Sequence, residues 1–117
     1  MTEAAPTPIE RLKKRPDFLA AAKAASSPRG SVVVQARDRA DGAGLVRVGF
    51  TATKKIGGAV VRNRAKRRLR AAAQALIPLH GRAGHDYVLI ARAGTATRPW
   101  GRLLDDVKSA LISLAPT

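Results

Sequence analysis

Between Thr53 and Arg70 the chain reads TKKIGGAVVRNRAKRRLR, with eight basic side chains (Lys54, Lys55, Arg62, Arg64, Lys66, Arg67, Arg68 and Arg70) and no acid. Five of the six cations from Arg62 to Arg70 are arginine. A guanidinium fork holds two phosphate oxygens at once and stacks on bases, whereas a helix built only for solubility could use lysine. The chemistry on offer is recognition of a polyanion. Asn63 interrupts the run as a neutral residue, a weak helix former that both donates and accepts. It could cap, or it could read a sugar, a base edge or a metal-bound water, and the residues alone leave those roles open.

Chemistry of other kinds finds no support. There are no cysteines, which excludes disulfides, thiolate zinc sites and cysteine nucleophiles. His80 and His85 lie in a Gly-rich turn, but no further His or Cys exists to complete a metal site with them. Asp105 and Asp106 are adjacent, so on a helix they point about 100° apart and cannot share a metal or work as an acid and base pair; solubility is the role expected of them. IGGAVVRNRAK lacks the Lys-Ser/Thr ending of a nucleotide-binding loop. No catalytic residue and no metal ligand is therefore assigned to the chain itself.

The totals point the same way. Against 22 Lys and Arg stand eight acids, for a formal charge of +14 and a pI of about 11.7. Such a balance repels itself without a polyanionic partner, and nucleic acid is the first candidate. At 117 residues the size suits one domain with one modest core. Residues 1–8, with Pro6 and Pro8, read as a disordered lead-in, and 9–115 as the domain. The N-terminus lacks the pattern of an export signal and no apolar run approaches the roughly 18 residues of a membrane span, so a cytoplasmic protein without a membrane partner is expected.

The elements that must position the basic run follow from periodicity. Ile9, Leu12, Phe18, Leu19 and Ala22 suggest a short amphipathic helix, interrupted or started at Pro16, with Asp17 suiting its positive end. SSPRG reads as a turn. SVVVQAR and LVRVGFTAT are rich in β-branched residues and read as an antiparallel pair. In the second, Val46, Val48 and Phe50 form a greasy face that should meet a helix. The basic helix should begin between Gly58 and Val61 and end near Ile77, before Pro78 and Gly81. HDYVLIARA reads as a buried strand. From Trp100 a helical rhythm runs through Leu103, Leu104, Val107, Leu111 and Leu114, with Thr97 as a cap and Trp100, like Phe50, as core. The order helix, strand, strand, helix, strand, helix gives an α+β or α/β sandwich.

Around the basic helix, Val61, Ala65, Leu69, Ala72, Ala73 and Leu76 fall in an arc of roughly 120°, with Arg62 at its border and cations over most of the rest. A solvated face would mix signs at i, i+4 spacing, whereas here Arg62 repels Lys66 and Lys66 repels Arg70. A membrane-surface helix would need Trp or Phe in the apolar arc. A counter-charge from outside, nucleic acid, is the reading that fits. Three roles compete: a subunit of a ribonucleoprotein enzyme, a ribosomal or general structured-RNA-binding protein, and a DNA-binding protein using this helix in a major groove. The last is disfavoured because duplex readers aim a few selected side chains at bases.

The segment TKKIGGAVVRNRAKRRLR resembles the signature of the bacterial ribonuclease P protein subunit, in which a Lys-Lys-Ile-Gly strand end leads into an Arg-Asn-Arg helix. RLKKRPDFLAAAK resembles that family's first helix, SVVVQAR and VRVGFTATKK its following strands, and DYVLIARAG its last strand. The resemblance implies a two-layer sandwich of a four-stranded mixed sheet and three helices, with a left-handed βαβ crossover shared with a domain of a ribosomal protein. It implies a protein that binds the catalytic ribonuclease P RNA and the 5′ leader of precursor tRNA, with Mg²⁺ held mainly by the RNA, which performs the hydrolysis. No obligate protein partner is implied. Arg62, Asn63, Arg64, Lys66, Arg67, Arg68 and Arg70 would face the catalytic RNA, with Lys54 and Lys55 beside them. Phe18 and the sheet position Gln35 would line the leader cleft. Three departures stand out: Ala22 and Gln35 replace aromatics common in the family, and Gly58 replaces an asparagine. Each lost base platform is worth about 1–3 kcal/mol, so leader binding should lean on backbone charge and hydrogen bonds.

Overall fold

The computed structural model describes residues 9–115, and the lead-in expected over 1–8 lies outside them. Along the chain run β1 (Ile9–Arg11), α1 (Arg15–Ala22), β2 (Ala25–Arg29), β3 (Val32–Asp38), β4 (Val46–Thr51), a 3-10 turn (Lys54–Ile56), α2 (Ala59–His80), β5 (His85–Ala91) and α3 (Trp100–Leu114). The strands form one mixed sheet in the order β1-β4-β5-β3-β2. β1 and β5 flank β4 in parallel, while β3 is antiparallel to both β5 and β2. Three helices on a mixed sheet is the α+β architecture expected, with five strands where four were implied.

The added strands lie where the sequence misleads. Ile9–Arg11, expected at the start of a helix, pairs with β4, and the Leu12 N–H extends that pairing to the Val48 carbonyl at 2.9 Å. Leu12 is thereby buried under the start of α1, which begins at Arg15 with Pro16 and Asp17 in its first turn. SSPRG, expected to be a turn, belongs mostly to the edge strand β2 (Ala25–Arg29). An edge tolerates Pro28 because a missing N–H need break no ladder bond there. The turn sits one step later at Gly30, whose φ of +49° favours glycine and whose added Cβ would lie 2.5 Å from the Asp106 carboxylate.

β3 and β4 are not the antiparallel pair expected, because β5 lies between them. The connection from β3 to β4 crosses the end of β5, and Arg39 pins it there: its guanidinium donates to Asp41 (2.9 Å), Asp86 (2.8 Å) and the Leu45 carbonyl (2.5 Å). α2 then carries the chain from β4 to its parallel neighbour β5.

The two faces of the sheet are covered differently. Val32, Val34, Val46, Val48, Tyr87 and Leu89 point into one core with Leu69, Ala72 and Ile77 of α2 and Leu103, Val107 and Leu111 of α3. Val88 and Ile90, the alternate residues of β5, meet Leu12, Phe18 and Ala21 on the side of α1. The stripe read for α2 holds at Ala65, Leu69, Ala72, Ala73 and Leu76, whereas Val61 stays 39% exposed at the open first turn. α2 also continues through Pro78 to His80, since a proline in the last turn removes a single ladder bond, and the Gly81 N–H closes the helix on the Ile77 carbonyl at 2.7 Å. At α3, Pro99 rather than Thr97 occupies the N-cap position. Phe50 is half-buried against the core, and Trp100, expected inside, is 42% exposed.

Candidate nucleic-acid interface

The positive charge of α2 persists because the paired acids, Asp17, Asp41, Asp86 and Asp106, are engaged elsewhere. Every ion pair among the described residues is made by Arg37, Arg39, Arg47 or Arg98. Five of these pairs converge on Asp17 and Asp86, at the end of the sheet facing α1. Arg37, Asp86 and Arg47 are neighbours across β3, β5 and β4. The buried Asp86 carboxylate accepts from Arg47 Nε (2.8 Å) and Nη2 (2.7 Å) and from Arg39 Nη1 (2.8 Å). Arg47 also donates to Asp17 of α1 at 3.2 Å, tying that helix to the sheet. Burial pushes the Asp86 carboxyl up, but the hydrogen bonds and charges of Arg47 and Arg39 outweigh it and hold the group below the ordinary carboxylate range. Asp86 went unmarked in the sequence, where one acid between His85 and Tyr87 carries no periodic signal.

Next along the same face, Gln35, Val88 and Gly49 form a row across β3, β5 and β4. Phe18 lies on that row at Gly49, where an added Cβ would come within 2.6 Å of the ring. Phe18 and Gln35, both half-buried, therefore share the face that α1 covers. From Phe18 the surface opens into a hollow of about 300 Å³ that also touches Leu12, Lys13, Phe50, Arg11, Lys66 and Arg70. A second, of about 600 Å³, shares Arg11, Lys66 and Arg70 and adds Val60, Asn63 and Arg67. Together they make a trough from the aromatic of α1 to the crest of the basic helix. The Arg70 guanidinium sits 5.7 Å from the centre of the Phe50 ring, a cation held on an aromatic floor.

Of the residues singled out in the sequence, the trough gathers Phe18, Asn63, Lys66, Arg67 and Arg70. Lys54 and Lys55 are exposed in the 3-10 turn just before α2. Gly58 is the N-cap, without a side-chain cap and with no acid in the first turn, so the positive end of the helix adds to theirs. Arg64 is exposed on another flank, and Arg62 is half-buried, its Nε shut from solvent without a partner among the described residues. Arg68 departs from the expectation. Its guanidinium turns back onto the protein, donating to the Thr95 carbonyl at 2.5 Å and to the Arg98 carbonyl, and it lies 5.9 Å from the centre of the Trp100 ring. Such an arginine is a staple between α2 and the segment before α3. Arg11 and Lys13 carry no signal in the sequence that joins them to the basic helix; it is the pairing of β1 with β4 that swings Arg11 against α2.

The acids singled out lie apart from the trough. Asp106 accepts from the Ser31 N–H and hydroxyl, both at 3.0 Å, and pairs with Arg98. Its role is to fix α3 on the β2–β3 turn rather than to aid solubility. Burial pushes its carboxyl up, and the Ser31 and Arg98 contacts bring it below the ordinary range. No group of three His, Cys, Asp or Glu that could hold a metal ion occurs among the described residues. The trough offers cations and an amide, a donor set for phosphate and not for Mg²⁺. Among the described residues no helix is long and apolar enough to cross a membrane.

The chain is similar to known proteins over most of its length. The family model for ribonuclease P matches residues 7–115. The ribonuclease P protein component of Caulobacter vibrioides is 70% identical over 107 residues, covering 92% of this chain and 72% of that one. That of Ruegeria pomeroyi is 56% identical over 108 residues, covering 91% and 86%. Among solved structures, the Thermotoga maritima ribonuclease P protein superposes with a TM-score of 0.77 at 25% identity, over 92% of this chain and 99% of that one. The Staphylococcus aureus protein gives 0.73 at 27%, over 88% and 93%.

Proposed function

The chain belongs to the ribonuclease P protein family, and we propose that it works there by holding two RNAs at once, the catalytic RNA on α2 and the precursor-tRNA leader beside α1. As a protein component of ribonuclease P it serves an endoribonuclease that matures the 5′ end of tRNA. The observation that carries the division of labour is the continuous trough, with Phe18 at one end and Asn63 and Arg67 at the other.

In this reading Asn63, Arg64, Lys66, Arg67 and Arg70, with Lys54 and Lys55, supply charge-assisted contacts to phosphates of the catalytic RNA. Arg11 and Lys13 continue the charge toward α1. Phe18 gives the leader one stacking surface at the rim of the sheet, and Gln35 a hydrogen-bonding group on the same face. Binding both RNAs fixes the leader relative to the catalytic RNA, and positioning of that kind lowers the entropic cost of reaching the reactive geometry. Mg²⁺ and the hydrolysis belong to the RNA, for the trough has no carboxylate to hold the ion. Arg68 takes no phosphate. The cytoplasm, where precursor tRNA is made, is the compartment this role requires.

The test compares precursor tRNA with and without its leader, bound to the assembled ribonucleoprotein. The native protein should favour the leader-bearing form, and Phe18→Ala should reduce that preference about 5- to 100-fold while leaving affinity for the catalytic RNA intact. Equal preference in native and variant particles would remove Phe18 from the leader path.

A further inference from the structure

α2 has a second flank, and an aromatic stands on it. The chain holds one tryptophan, one tyrosine and two phenylalanines. Tyr87 is buried and Phe18 and Phe50 are half-buried against the two cores, whereas Trp100 keeps 42% of its surface open at the first turn of α3. It lies away from the trough: Asn63, Lys66, Arg67 and Arg70 line that side of α2, and Arg68, one helical turn beyond the exposed Arg64, meets Trp100 on the other.

The ring is held. Arg68 spans from α2 to the carbonyls of Thr95 and Arg98 and brings its guanidinium to 5.9 Å from the ring centre, while Arg98 is itself fixed by Asp106. An indole that only filled the core would be covered, whereas this one stays open with a cation beside it whose own hydrogen bonds are satisfied. A large exposed aromatic with fixed positive charge beside it is an arrangement suited to stacking a nucleobase.

We propose that Trp100 is a stacking platform for an unpaired base of a structured RNA, with Arg64 on the neighbouring phosphates. This rests on the RNA-subunit reading above and deepens it. The α3 layer covers the sheet face opposite to Gln35 and Phe18, so the base belongs to the catalytic RNA and not to a leader lying in the α1 cleft. α2 would then be gripped from both flanks by the same RNA, its backbone on the trough side and an extruded base on the α3 side.

Because Trp100 is the only tryptophan, its fluorescence reports on this site alone. Native protein saturated with ribonuclease P RNA should show quenched emission and reduced access to acrylamide. Trp100→Ala should bind that RNA about tenfold more weakly with an unchanged salt slope, since stacking releases no counterions, and Trp100→Phe should recover most of the loss. Emission and acrylamide access that do not change in the saturated complex would overturn the platform, and so would Trp100→Ala binding within twofold of native. The fluorescence result decides even where Trp100→Ala fails to fold. Native protein that binds no RNA would sink the subunit reading and the platform together, whereas tight binding with a silent Trp100 sinks the platform alone.

Discussion

At the scale of single residues, arginine has two uses in this protein, and local partners decide which. Arg67 lines the trough, Arg64 is exposed, and neither pairs with an acid among the described residues; Arg68 is spent on the carbonyls of Thr95 and Arg98. Arg64→Ala or Arg67→Ala should therefore lower the slope of log affinity against log salt by about one each. Arg68→Ala should leave that slope alone and instead lower the melting temperature, a split that salt titration and thermal melts of the three variants would check. Asp86 gives a second prediction. Its carboxyl titrates lower folded than unfolded, so the unfolded chain binds more protons in that window and stability rises with pH through it. The contribution is complete above the ordinary carboxylate range and is lost as pH falls through the depressed folded value. Asp86→Asn should cost about 3–5 kcal/mol by stranding Arg39 and Arg47, and denaturant titrations across acidic pH should show a weaker dependence in the variant than in the native protein.

At the scale of elements, legibility followed periodicity. The stripe of α2, the strand β5 and the helix α3 could be read because long, regular patterns repeat the same statement many times. β1 and β2 could not: each is short and fully or mostly exposed, and their pairing is set by β4 and β3, distant in sequence. The same non-local pairing hid Arg11 from the site and separated β3 from β4. Arg68 and Trp100 misled in a complementary way, since helical angle alone placed one outward and the other inward, while a contact between them turned both. The family resemblance supplied the role proposed for the α1 face, which no pattern in Phe18 or Gln35 could have given. For α2 itself the packing makes a sharp forecast. Leu69 is fully buried, so Leu69→Ala should cost about 2–5 kcal/mol, whereas Val60, 77% exposed, should change stability by no more than about 0.5 kcal/mol on replacement with alanine; chemical denaturation of the two variants would compare them.

For the whole molecule, a net charge of +14 on 117 residues means that the native shape concentrates like charge which the unfolded chain disperses. Anions that bind the folded trough shift the equilibrium toward it, so helical circular dichroism at low ionic strength should rise on adding sulfate, and a flat response would show that the fold needs no counter-charge. In the ribonucleoprotein proposed above, the RNA would supply that counter-charge, so that binding would favour folding. On the reading proposed above, this chain assists a catalytic RNA that carries the chemistry. Cleavage of a leader-bearing precursor tRNA by a bacterial ribonuclease P RNA at low Mg²⁺, with and without the protein, tests it most directly. Cleavage at the mature 5′ end only with the protein present is the result predicted; equal cleavage in both, with RNA binding intact, would contradict it and leave a general RNA-binding protein.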